Sequence, residues 1–141
     1  MALRGRRTGR PTGLFRRWAL RLWASPTTLI GLALGLLLVP CGARMRIVDG
    51  VIEIAALRHA PRRRWPFAAI TFGHVIVGTH AQELQRLRAH ERVHVRQCER
   101  WGPLFLPAYL LAGAWQRMRG RDAYWDNPFE VEARRLGGQE V

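Results

Sequence analysis

The chain has 141 residues, 23 basic against 10 acidic side chains and a net charge of +13; every basic residue is Arg. That length holds one compact domain with a small addition and excludes two ordinary domains. Its 48% apolar content excludes a disordered basic tail, and two cysteines, Cys41 and Cys98, exclude a disulfide-stapled scaffold while leaving their pairing open.

The charge is concentrated at the start. Residues 1–21 carry seven Arg and no acid, so this flank supplies +7, and the other 120 residues supply only +6. Behind it, residues 22–43 hold no formal charge, with the densest apolar part at Thr27–Val39 between Pro26 and Pro40. A helix of about 20 apolar residues spans a bilayer core, and a basic flank is what a membrane segment places beside it. The run therefore reads as a short or tilted single-pass anchor. A cleaved signal with a long Arg-rich start and a buried core helix are the alternatives. Arg residues follow the run as well as precede it, which leaves the side of the membrane open.

Beyond residue 44 the pattern turns to period two. Met45–Val48 and Val51–Ile54 flank Asp49-Gly50, a strong hairpin signal. Pro61 to Pro66 reads as a loop, and Ala68 to Gly78 as β again, so residues 45–78 predict a sheet of three or four strands. A long helix follows from Thr79, with Thr79 as cap, Gln82 completing a capping box and Gly102-Pro103 as stop. Leu104–Met118 predicts a second, strongly apolar helix, too short for an ordinary span. It suits a core helix or a segment dipping into a membrane surface. Asn127-Pro128 opens a third helix that Gly137-Gly138 ends. The fold class is α+β: an N-terminal membrane-associated helix, a small β-sheet or hairpin, then a long helix and two further helices.

The long helix contains His90-Glu91-Arg92-Val93-His94. Residues i and i+4 share a helix face, so both imidazoles reach one Zn²⁺. Glu91 beside them can take a proton from a water activated by that ion. A catalytic zinc needs a third protein ligand and one open position. Glu130 and Glu132, 36 and 38 residues beyond His94, are the candidates. They lie about 200° apart on a helix, so both cannot face one metal. Glu130 is also placed to be the capping-box partner of Asn127, which would leave the metal to Glu132.

His90 to Gln97, followed by Asn127-Pro128-Phe129-Glu130-Val131-Glu132-Ala133, resembles the gluzincin branch of zinc metallopeptidases. The resemblance implies a minimal zincin-like domain over residues 44–141, with zinc bound by His90, His94 and a Glu from a later helix. It favours Glu130, three residues before Ala133; where many gluzincins carry an Asp next, this chain has Arg134. Ala89-His90-Glu91 through Trp101-Gly102-Pro103, with Tyr109-Leu110 and Gly120–Tyr124, also resembles a group of small uncharacterised bacterial membrane-linked proteins over roughly residues 25–135.

The expected function is thus a membrane-associated, zinc-dependent hydrolase of the metallopeptidase kind. Glu91 would act as general base, the N-terminal segment would contact lipid, and a peptide or protein would be substrate. The alternative is a non-catalytic metal-binding accessory or sensor protein at the membrane. Nucleic-acid binding through the Arg surplus comes third, because no helix–turn–helix, RNP or zinc-finger spacing is present. His74, Tyr109, Tyr124 and Cys98 are secondary site candidates, more simply read as packing residues.

Overall fold

The protein is described here from a computed structural model covering residues 12–56 and 67–138. The loop expected at Pro61–Pro66 lies outside the described residues. Two helices come first, α1 (Thr12–Trp23) and α2 (Ser25–Leu38). Pro26 sits in the first turn of α2, where its missing N–H is harmless but where it cannot continue α1. The chain bends by 61° there. No single helix among the described residues is long and apolar enough to cross a membrane; the bent pair reaches the necessary length and composition only when joined.

The sheet has four strands, β1 (Arg44–Val48), β2 (Val51–Ala55), β3 (Ala69–Phe72) and β4 (Val75–Gly78), in the order β1-β2-β4-β3. Asp49 and Gly50 both adopt positive φ, 47° and 78°, the backbone a two-residue hairpin requires between Val48 and its partner Val51. Gly73 at φ 60° helps turn β3 back onto antiparallel β4. β2 and β4 run parallel.

Strand alternation splits the core between the two faces of the sheet. Ile54, Val75 and Val77 pack with Leu34 and Leu38 of α2, while Val51 and Ile76 pack with Leu84 and Val95 of α3 (Ala81–Trp101). Helix α2 approaches closely because Gly31 lacks a side chain: a Cβ there would lie 2.7 Å from that of Val75 and 2.8 Å from that of Phe72. Half of the apolar run read as an anchor therefore forms a layer of the fold.

Thr79 does not cap α3. Its N–H donates to Ala68 O and its hydroxyl to the same atom, so it extends the β3–β4 pairing, and the helix begins two residues later. Gly102, at φ 56°, ends α3 against the ring of Trp23. A single 3-10 turn leads into α4 (Phe105–Met118). In α5 (Pro128–Gly137) the Asn127 side chain caps the first turn by accepting from Phe129 N, and left-handed Gly138 ends it. The described chain is mixed α and β, five α-helices around one small sheet.

Candidate metal centre

One turn of α3 brings His90 and His94 to the same face, and α5 lies across that face. The approach is close: a Cβ on Gly137 would sit 2.8 Å from the Cα of His90. This seats Glu130 opposite both imidazoles. His90 Nε2 and His94 Nε2 are 3.1 Å apart, Glu130 Oε2 is 3.2 Å from the first, and Oε1 is 3.3 Å from the second. All three residues are buried. Tetrahedral coordination with bonds of about 2.0–2.1 Å places neighbouring donor atoms about 3.3–3.4 Å apart. Within this triangle of residues each imidazole nitrogen meets a different oxygen of the one carboxylate at about that spacing, and one donor atom from each residue lies within 4.8 Å of the others. The cluster can hold a metal ion.

The protonation pattern fits as well. Gln97 Nε2 donates to Phe129 O at 3.0 Å and to Glu132 Oε2 at 2.8 Å, and both of those can only accept. Its Oε1 must then be the atom 2.8 Å from His94 Nδ1, so that nitrogen carries the hydrogen. In the neutral ring Nε2 is left as a lone pair aimed at His90 and Glu130. One proton can bridge only one pair within this triangle, whereas a metal cation satisfies all three donors together.

Electrostatics favour a cation at the same point. Burial alone would raise the Glu130 carboxyl, but the facing rings of His90 and His94, the positive charge that a protonated His94 brings, and the hydrogen bond from Tyr109 hold it well below the ordinary range. Burial opposes a proton on His94, and Glu130 more than offsets this, raising that imidazole's affinity for positive charge. The phenol of Tyr109 donates to Glu130 Oε1 at 2.7 Å; burial first, and then this bond, keep it protonated far above its usual range.

Glu91 is buried beside the triangle. Thr71, on β3, donates to its Oε2 at 2.7 Å. Burial raises the carboxyl, opposed by the nearby histidines and the Thr71 hydrogen bond. A raised carboxyl is suited to exchanging protons near neutral pH. The site opens into a cleft of about 920 Å³ between β3, α3, α4 and α5. Its walls include Ile70, Leu87, Phe105, Leu106 and Trp125, with Arg86 as the one arginine among the described lining residues.

Of the expected residues, His90, His94, Glu91 and Glu130 come together. Glu132 points elsewhere, to Gln97 and to Arg100 at 3.6 Å. Glu130 sits within the first turn of α5, but it is turned to the histidines while Asn127 caps alone. His74 pairs with Glu99 at 3.1 Å and does not line the cleft. Cys98 is buried with its thiol pushed up to about 12 by burial, and Cys41 is exposed; both are free, so they do not pair. Tyr109 and Tyr124 both line the cleft. Sequence reasoning missed the parts played by Gln97 and Thr71. Gln97, three residues past His94 on one helix face, could have been found by helical arithmetic. Nothing local marks Thr71, which only the packing of β3 on α3 brings to Glu91. No family model matches the chain, and no curated protein or solved structure matches it either.

Proposed function

We propose that this protein is a membrane-associated, zinc-dependent hydrolase of the metallopeptidase type, with His90, His94 and Glu130 as ligands. The observation that carries the reading is the convergence of three buried ligand side chains, with contacts of 3.1–3.3 Å between them, beside a buried carboxyl in the wall of a cleft. Two imidazoles and one carboxylate form a donor set that suits zinc and leaves a fourth position open. The likeness of His90–Gln97 and Asn127–Ala133 to gluzincins supports the same choice.

An ion held there supplies Lewis acidity toward a water and a carbonyl oxygen. The rest of the work falls to the chain. Glu91 accepts the proton that a water gives up on attacking a peptide carbonyl, and passes it to the departing amine. Thr71 fixes the Glu91 carboxyl, Tyr109 fixes Glu130, and Gln97 fixes the ring of His94. The apolar walls exclude bulk water and accept apolar side chains. Helix α1 supports the membrane assignment, because it combines exposed Leu14, Phe15, Trp18 and Leu22 with Arg16, Arg17 and Arg21.

A second reading keeps the metal but not the chemistry. The histidines belong to α3 and Glu130 to α5, so an ion between them would tie two elements of a small domain. One set of measurements separates the two. Purified full-length protein is expected to carry about one zinc per chain, and His90→Ala to lose it. Glu91→Gln is expected to retain the metal and abolish peptide hydrolysis. A chain that purifies without metal and whose melting ignores chelators rejects both readings. Metal retained, with no hydrolysis by the unsubstituted protein, leaves the second.

A further inference from the structure

Helix α4 has two apolar faces, and among the described residues the fold buries only one. Phe105 and Gly113 are buried, and Phe105, Leu106 and Tyr109 line the cleft. On the opposite side Leu104, Pro107, Leu111, Trp115 and Met118 follow one another at intervals of three, four, four and three residues. That spacing builds a continuous stripe along a helix. All five are exposed, Leu111 by 70% and Met118 by 80%. A stripe of this regularity exceeds the scattered exposed apolar residues of an ordinary surface.

Charge identifies the occupant. The helix contains no acid, and Arg117, Arg119 and Arg121 cluster at its end, with Arg119 stacked 5.9 Å over the ring of Trp115. Helix α1 repeats the pattern, with Arg21 stacked 5.9 Å over Trp18 beside exposed Leu14 and Phe15. Trp with Arg at the margin of an apolar strip suits the boundary between acyl chains and anionic headgroups. A second copy docked along the α4 stripe would bring the Arg cluster to another helix that has no acid to receive it.

We infer that the outer face of α4 is a membrane-docking surface for anionic lipid, acting with α1 to hold the protein flat on the bilayer. This goes beyond attachment through the N-terminal segment and does not depend on the metal. The same helix forms a wall of the cleft, so docking and cleft share one element.

Flotation of the full-length protein with vesicles of equal parts phosphatidylglycerol and phosphatidylcholine tests it. The double variant Leu111→Glu/Met118→Glu is expected to lower partitioning by about tenfold or more, although α1 is intact. Partitioning is also expected to fall on pure phosphatidylcholine. The substituted positions are exposed, and an unchanged melting temperature confirms the variant's fold. Independently, brominated lipid should quench a fluorescence component that Trp115→Phe removes. Flotation of the α4 variant equal to that of the unsubstituted chain overturns the proposal. So does a dimer, formed without vesicles, that the α4 variant dissociates while vesicle binding is unchanged. Quenching that is identical in Trp115→Phe overturns it as well.

Discussion

His94 offers a lone pair to the site because Gln97 takes the hydrogen on its other nitrogen, and Gln97 is oriented in turn by Glu132 and Phe129 O. The residue that rivalled Glu130 as a ligand thus reaches the cluster only through Gln97. Gln97→Leu should remove this orientation while keeping the bulk buried against α5. The expected result is a loss of about 10–100-fold in zinc affinity with little change in secondary structure, read by competition with a chromogenic chelator. Affinity equal to that of the unsubstituted protein would show that the ring is held by packing alone. The histidine pair and Glu91 were legible in sequence because helical spacing alone gathers them. The choice between Glu130 and Glu132 was not, since the helix start can be capped by Asn127 with or without Glu130. Only the seating of α5 on α3, close enough to leave no room for a Cβ at Gly137, settles which carboxylate faces the rings.

Among the elements, the hairpin and the helix-ending glycines were readable because positive φ leaves a residue signature, as at Asp49-Gly50 and Gly138. The start of α3 was not, because Thr79 had a competing offer from the sheet. The tie between the sheet and α3 was also invisible locally. Glu53 on β2, 1% exposed, receives Arg46 of β1 at 2.8 Å and Arg88 of α3 at 2.7 Å. Burial would raise its carboxyl, but hydrogen bonds and charge from Arg88 and Arg46 outweigh that and hold it below the ordinary value. A carboxyl lowered in the folded state stabilises the fold above its unfolded pKa of about 4.3, and the contribution disappears as pH falls through the lower folded value. Glu53→Gln should therefore cost about 1–3 kcal/mol at pH 7, both Arg partners being partly exposed and able to find water. Urea unfolding of the two proteins should show that gap closing as the pH falls below about 4. Terms common to both proteins, metal release included, cancel in the difference. A gap that persists undiminished in acid would mean that Glu53 matters for its shape and not its charge.

At the scale of the whole molecule, composition pointed to a basic flank and an apolar run that could be detached from the domain behind them. The structure makes that run serve two surfaces. One side of α2 closes the sheet, with Gly31 against Val75 and Phe72 and with Leu34 and Leu38 on Ile54, Val75 and Val77, while Leu29, Ile30, Leu36 and Leu37 remain exposed. An anchor that merely tethers a domain shows no such sidedness toward it. Sequence could not separate these cases, because a helix apolar all round looks the same whether lipid or a sheet covers it. The difference appears on truncation. A detachable anchor would leave residues 44–141 folded and soluble, whereas an integral layer would leave the buried face of β2 and β4 open to water. Each fully buried Val or Ile exposed in this way forfeits about 1.5–3 kcal/mol, and native stability totals only about 5–15 kcal/mol. Chain 44–141 should therefore lack a cooperative melting transition and bind a hydrophobic dye, even with zinc supplied. The full-length Leu29→Glu/Leu37→Glu protein, altered only on the outer side of α2, should melt cooperatively near the unsubstituted temperature. If the truncated chain instead melts as sharply as the whole, α2 is a tether and its contact with the sheet contributes nothing to the fold.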